Sequence, residues 1–347
     1  IAGSGLTGLS AAISMSEIGY KIALIDPKPF KLLEDITYDS RTTAISAQAA
    51  VFFKKIKVWS AIKEFVCPIK NILVEEPTIG AKSFLNKDSN KNNALGYMIQ
   101  NKNLFKALLR IVKKDKNIIK YDNKINSFYR ENDKVLVNLS NMEISASLLI
   151  AADGKNSFIR KQADIKTFTK DYRQKAFVFN IRHNYSHENL AVENFLESGP
   201  LASLPLKIKK NQNHSSIVWS CNFPHHFKFV DSKKLLEKFL DKNLNSHYGK
   251  TKIISDINCW NLSLSNAKKY VDYRILLLGD AAHAIHPIAG QGFNLTLRGL
   301  KKFYKLAKES YQANKNIGRI DNLTSYNNSH YIDAKLLIIA TDRLNYL

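Results

Sequence analysis

Asp280, His283 and His286 stand within seven residues of one another in the stretch LLLGDAAHAIHPIAGQGFNL (Leu276–Leu295). An acid and two imidazoles can ligate a metal or exchange protons. The histidines are three residues apart, a spacing that puts both on one helical face, but no Glu or third His accompanies them, so no metal site is expected. A proton-transfer role for either histidine has no other support in the sequence. His283 reads as a side chain that packs or hydrogen-bonds within the fold, and His286 with Pro287 as shaping a pocket. The rest of the stretch is more informative. An apolar strand ends at Gly279-Asp280, and Gly290-Gln291-Gly292 opens a helix. An acid at a strand end and glycines at a helix start are the makings of a ligand site.

A second glycine cluster opens the chain. IAGSGLTG supplies Gly3, Gly5 and Gly8 as G-x-G-x-x-G. The helix LSAAISMSEIG follows Gly8 and closes at Gly19, and the buried strand KIALID follows it and ends in Asp26. Asp26 lies 18 residues beyond Gly8, near the separation of about 20 expected for an acid that binds a ribose hydroxyl. Gly3 permits the tight turn, Gly5 lets the backbone approach a pyrophosphate, and Gly8 allows close helix–strand packing. The helix N-terminus favours the anion. The alternative is a glycine-rich turn before an ordinary helix. A strand of five or six residues should feed this turn, and only Ile1 and Ala2 stand before Gly3, so further residues are expected ahead of Ile1.

The elements around these motifs fall into two textures. NLFKALLRIVKK (Asn103–Lys114) has helical periodicity, KVLVNLS and ASLLIAADG read as strands, and Asn86–Gly96 reads as an exposed loop. From about Lys166 to Trp260, alternating stretches such as KAFVFNIRH and SSIVWSCNF predict antiparallel strands. His225-His226 falls there and reads as surface. After Tyr273 the buried strand RILLLGD returns, followed by helices. A β-rich middle is thus flanked by α/β segments.

LLIAADGKNSFIRKQ (Leu148–Gln162) places Asp153-Gly154 at a strand end, with a helix starting near Ser157. With the N-terminal glycines and Gly279-Asp280, these segments resemble the three fingerprints of the flavin-dependent aromatic hydroxylases. DSRTTAISAQAAVFFKKIKVW (Asp39–Trp59) resembles the early Arg-containing helix of the ubiquinone-biosynthesis subgroup, GDAAHAIHPIAGQGFNL resembles its signature, and TDRLNYL (Thr341–Leu347) resembles its late T-D-x-L segment. The resemblance spans nearly the whole chain and is weakest from 166 to 265. The family usually has Gly and Asp where this chain has Thr296 and Gly299, and it continues several tens of residues past T-D-x-L, so a shortened gene product is one expectation.

The resemblance implies an α/β (α+β) fold: a Rossmann-like FAD-binding domain assembled from residues 1–70, 96–165 and 266–347, with an inserted, mainly antiparallel β-sheet substrate domain from 71–95 and 166–265. It implies FAD as cofactor and NADPH or NADH as co-substrate, with oxygen captured at the flavin C(4a) as a hydroperoxide and transferred to an electron-rich ring. The cofactor carries such chemistry, which accounts for the lack of a nucleophile–base pair. By the same resemblance Arg41 reaches the cofactor's phosphate or ribose, or is a solvated helix residue. Gln100 contacts the cofactor ahead of the Asn103 helix. Asp153 and Gly154 serve FAD and NAD(P)H, or form a structural turn. Asp280 accepts from the ribityl chain, Pro287 lines the flavin face, Gly290, Gln291 and Gly292 aim a helix N-terminus at the pyrimidine end, and Asn294 caps the helix or contacts the ring.

The implied substrates are a polyprenylated phenol or quinol precursor of ubiquinone and molecular oxygen. Such a substrate calls for work at a membrane surface or within a quinone-biosynthesis complex. The formal charge of +22 suits an anionic surface. Nucleic acid is not an expected partner, because only 10 of 52 basic residues are Arg and no aromatic-interleaved basic block exists. Three widely spaced cysteines, Cys67, Cys221 and Cys259, fit a reducing cytosol, and no apolar run approaches the ~18 residues of a spanning helix. The expected location is cytoplasmic, peripheral on the inner membrane. The segment His330–Leu347 is either amphipathic or a buried core helix. A non-catalytic scaffold subunit, or a flavin hydroxylase of another aromatic substrate, are the alternative functions.

Overall fold

The computed structural model describes residues 1–29, 39–86, 94–208, 212–223, 225 and 232–345. The loop expected over 86–96 therefore falls largely outside the described residues, as do His226, Tyr346 and Leu347.

A parallel sheet forms from short strands, of which Leu149–Ala151 and Ile275–Leu277 are apolar and buried on both faces, the expected character of strands covered by helices. Ile22–Ile25 pairs with Ile118–Tyr121, and Leu149–Ala151 pairs with Ile275–Leu277. Ala2 joins the two pairs through parallel bridges to Ile25 and Ala151. Val271–Asp272 adds an antiparallel edge. The helix Leu6–Ile18 packs over this sheet and ends at Gly19 in the left-handed region, φ 118°. It begins at Leu6 rather than after Gly8, so Gly8 lies in its first turn. The reason is contact: a Cβ on Gly8 would stand 1.9 Å from the Gly3 carbonyl oxygen. Asn101–Lys114, Gln291–Gln312 and Ile320–Leu344 complete the helical cover.

The segment expected as an early helix around Arg41 is different. Thr42–Ser46 is a strand paired antiparallel with Gly96–Gln100, and the helix starts only at Ala47, where the Ser46 hydroxyl accepts from Ala49 N. The β-branched Thr42, Thr43 and Ile45 favour the extended backbone.

The β-rich part is a nine-stranded sheet built around Thr167–His183, which pairs antiparallel with both Asn213–Asn222 and Asn258–Ala267. Asn71–Glu76 joins it beside Leu190–Leu196 in a parallel pairing within a sheet that is mainly antiparallel, as expected; Ala81–Asn86 forms the edge. A helix not expected from the sequence, Lys233–Tyr248, covers one face. Its Leu236, Leu240, Leu244 and Tyr248 recur at helical spacing and meet Phe177, Phe179, Ile217 and Trp219 in a second core. His225 is half-buried.

Candidate cofactor site

Four chain turns leave the carboxyl ends of the parallel strands, where open α/β sheets place ligands. Gly3 follows Ala2, Asp26 follows Ile25, Asp153 follows shortly after Ala151, and Asp280 shortly after Leu277. A cleft of about 470 Å³ is lined by Gly3, Ser4, Gly5, Asp26, Phe105 and Asp153. A second, of about 490 Å³, is lined by Gly5, Arg41, Gly154, Asp280, Gly292 and Thr296. Gly5 and Phe105 line both, so the two make one groove. A larger cleft of about 630 Å³ lies around Ile1, Lys21, Ile22 and Lys116, at the amino ends of the strands and away from these turns.

The glycines divide by what surrounds them. Gly3 has φ 97°, and a Cβ there would stand 2.4 Å from the Ala152 carbonyl oxygen. Gly5 is the opposite case: nothing lies within 4 Å of its Cβ position. The turn must exclude a side chain at Gly3, whereas at Gly5 the open space is the groove itself. Asp26 holds the loop shut, accepting from Ser4 N at 2.8 Å and Lys28 N at 2.9 Å. Each carboxylate oxygen keeps a further lone pair.

Asp153 accepts from Ile159 N at 3.2 Å through Oδ2, while its buried Oδ1 has no partner among the described residues, and neither has the Ser4 hydroxyl. These orphaned polar atoms beside the groove, with the open space at Gly5, fit a group that brings its own donors and phosphate. Asp280 opens to the groove, but the surrounding walls desolvate its carboxyl and raise it above the usual carboxylate range; Lys155 and Arg41 oppose the shift. Arg41 pairs with Asp39 through two bonds of 2.8 Å and lies 5.9 Å from the Trp260 ring centroid.

Gly290, at φ 61°, turns the chain into the helix Gln291–Gln312, whose N-terminus has no side-chain cap and no acid in its first turn. Its first N–H groups lack intrahelical partners. Gly292 and Thr296 place that turn on the groove wall. Asn294 is buried with its amide committed to backbone: it donates to Ala44 O at 2.8 Å and Gly290 O at 3.2 Å and accepts from Ser46 N at 2.8 Å. It clamps the strand Thr42–Ser46 to the helix start. Pro287 sits at the preceding turn, its carbonyl accepting from Gly290 N.

His286 is 1% exposed, and both its ring nitrogens are engaged. Nε2 lies 2.9 Å from Gln174 Oε1, and Nδ1 accepts from Ile288 N at 3.3 Å, which makes Nε2 the protonated nitrogen. Gln174 donates onward to Asn222 and Asn345. Burial lowers His286 to about 4. The ring is a neutral strut between sheet and loop, not an open pocket group. His283 packs against His330, Nε2 to Nε2 3.4 Å. Gln100 lines a different cleft, with Asn180 and Arg182, while the next residue, Asn101, lines the groove and accepts from Thr43 Oγ1 at 2.6 Å.

Sequence reasoning missed Arg160. It is 6% exposed, donating from Nη1 to Ala281 O and from Nη2 to Lys155 O, each at 2.7 Å. One guanidinium thus ties the turn after Asp153 to the turn at Asp280. An arginine seven residues past Asp153 was the available signal.

The architecture is the fold shared by solved FAD-dependent monooxygenases. p-Nitrophenol 4-monooxygenase PnpA from Pseudomonas putida superposes with a TM-score of 0.78 at 13% identity, covering 99% of this chain and 87% of that one. HpxO from Klebsiella pneumoniae, solved with FAD and uric acid, gives 0.75 at 14% identity over 99% and 86%. The family described as an FAD binding domain matches residues 1–316. Ubiquinone hydroxylase UbiL of Rhodospirillum rubrum is 30% identical, covering 99% of this chain and 80% of the relative. Ubiquinone hydroxylase UbiM of Neisseria meningitidis is 27% identical over 99% and 76%, and the 3-demethoxyubiquinol 3-hydroxylase of Escherichia coli 28% over 86% and 76%. The chain belongs to the FAD-dependent aromatic hydroxylases, within the ubiquinone-biosynthesis hydroxylase subgroup.

Proposed function

We propose that the protein hydroxylates the aromatic ring of a polyprenylated phenol or quinol precursor of ubiquinone, using FAD, molecular oxygen and NAD(P)H. The observation that carries this is the convergence of Gly5, Asp26, Asp153 and Asp280 on one groove at the carboxyl ends of the parallel strands. The names of the relatives support the substrate class. When bound, FAD supplies the two-electron chemistry and the activation of oxygen.

The chain's own residues hold and shield that group. The backbone at Gly5 and the following helix N-terminus hold the pyrophosphate. Asp26 accepts from the adenosine ribose through its remaining lone pairs. Arg41 neutralises phosphate, and Asp280 accepts from the ribityl hydroxyls. The N-terminus of Gln291–Gln312 favours negative charge at the pyrimidine end. Asn294, His286 and Pro287 fix the loop that carries this terminus. Residues 1–70, 96–165 and 266–347 form the cofactor part, and 71–95 with 166–265 the substrate part; the pairing of Asn71–Glu76 with Leu190–Leu196 supports the latter.

Among the described residues no helix is long and apolar enough to cross a membrane. A peripheral position suits the exposed Ile332, Leu336 and Ile339 on the last helix and the net charge. Complementation of strains lacking individual quinone-ring hydroxylases, with the accumulated intermediate identified by mass spectrometry, tests the reading. Purified protein should carry yellow FAD and oxidise NAD(P)H faster with a prenylated phenol. No rescue of any strain would defeat it.

A further inference from the structure

We propose that the polar cleft beside the cofactor groove binds the diphosphate of the reduced pyridine nucleotide. The inference rests on the monooxygenase reading, which requires a soluble electron donor, and it names where that donor docks.

The cleft measures about 670 Å³, within the usual range for a small-molecule site. Lys102, Arg182 and Lys233 all line it, and none of the three makes an ion pair with a described residue. Two acids share the wall, Asp39 and Asp256. Both oxygens of Asp39 accept from Arg41, an arginine that also lines the cofactor groove. Three cations against two carboxylates leave the concavity net positive, and a low-dielectric concave wall focuses that field. The helix Asn101–Lys114 starts at this wall with no side-chain cap and no acid in its first turn, so its N-terminal dipole adds a partial charge of the same sign.

The floor is polar and built. Gln100 is 7% exposed and Asn180 3%. The Asn180 amide donates to Ser40 O at 3.1 Å, while its Oδ1 has no partner among the described residues. Position decides the ligand. Asp39 lines both this cleft and the cofactor groove, and the wall between them is the short segment Asp39–Arg41. A dinucleotide whose phosphates sit among Lys102, Arg182 and Lys233 has its far end beside that groove. A free inorganic anion would need no such adjacency.

ADP-ribose carries the diphosphate and adenosine but no nicotinamide, so its binding reads the site without turnover. Calorimetry on the full, FAD-loaded chain should show binding. Lys102→Gln, Arg182→Gln and Lys233→Gln should each weaken it by about tenfold, the worth of one charge-assisted contact. Arg182→Lys should restore part of the loss, and FAD affinity should stay unchanged. An ADP-ribose Kd indifferent to all three changes overturns the proposal. So does a fall in affinity for FAD or for an anionic aromatic substrate instead, which would give the cleft to those ligands. Failure of wild-type protein to bind FAD at all would defeat the monooxygenase reading, a separate result from FAD-replete protein that ignores ADP-ribose.

Discussion

The guanidinium of Arg160 donates to the carbonyl of Ala281 at 2.7 Å and joins two turns that are 121 residues apart in the chain. Its second amino group reaches Lys155 O at the same distance. Both carbonyls belong to turns that leave the carboxyl ends of adjacent parallel strands, so this one side chain sets the width of the groove between Gly154 and Asp280. Removing it leaves the buried Ala281 carbonyl and the half-buried Lys155 carbonyl without this donor. Arg160→Met should destabilise the fold by about 2–4 kcal/mol, measured by urea unfolding. It should also weaken FAD binding more than substitution of an Arg outside the groove, such as Arg319. Arg160→Lys has one donor head and cannot reach both carbonyls, so it should recover only part of either quantity.

Gly5 and Gly8 should fail in opposite ways. Gly8→Ala forces a Cβ onto the Gly3 carbonyl oxygen at 1.9 Å, a backbone collision that costs at least ~2 kcal/mol and shows as lost stability. Gly5→Ala meets no protein atom within 4 Å. It should fold normally and lose FAD, because the methyl enters the phosphate's space. Wild-type FAD affinity in Gly5→Ala would remove the phosphate from this loop.

Stability should fall steeply in mild acid. His183, His283 and His286 are each lowered to about 4, and His330 to about 2, with burial as the main cause. The unfolded chain binds protons at these sites near the ordinary 6.5 while the folded chain does not. Their contribution is therefore complete above about 6.5 and is lost as pH falls from there toward 4. Each histidine adds roughly 1 kcal/mol per pH unit to that slope. Urea midpoints taken from pH 7.5 down to 5 should show it, and His286→Gln should flatten the curve. A flat profile would mean these rings are not buried neutral.

Gly299 and His330 should be coupled. A Cβ on Gly299 would lie 2.4 Å from His330 Nε2, so the imidazole occupies the room that the family's usual Asp would need. Gly299→Asp alone should cost about 1–3 kcal/mol by overpacking. Combined with His330→Ala, most of that cost should vanish, and a double-mutant cycle measures the coupling. Additive effects would show that the two sites are independent.

Thr296 and Gly299 first stood out as departures from the family, and each is accommodated locally. Thr296 donates to Gly292 O at 3.2 Å within its own helix, and Gly299 receives His330. The helix that carries both residues runs unbroken from Gln291 to Gln312. Neither departure by itself argues that the cofactor site is lost.

Local rules made much of the protein legible from its sequence. Glycine spacing, an acid at a strand end and apolar runs located the parallel strands that end near Asp26, Asp153 and Asp280, though not Ile118–Tyr121, and the helix that closes at Gly19, because turn geometry and strand burial are set by residues close in the chain. The strand at Thr42–Ser46 was misread because helix-compatible residues follow it directly, and only its partner Gly96–Gln100 makes it a strand. The helix Lys233–Tyr248 was legible in its leucines and overlooked. Tertiary structure alone decided the remainder. It sent Gln100 to one cleft and Asn101 to another, committed Asn294 and His286 to backbone and amide partners, and brought His330 to His283 and Arg160 to Ala281. These outcomes depend on which distant backbone groups are left without partners once the sheets assemble, and spacing along the chain carries no record of that.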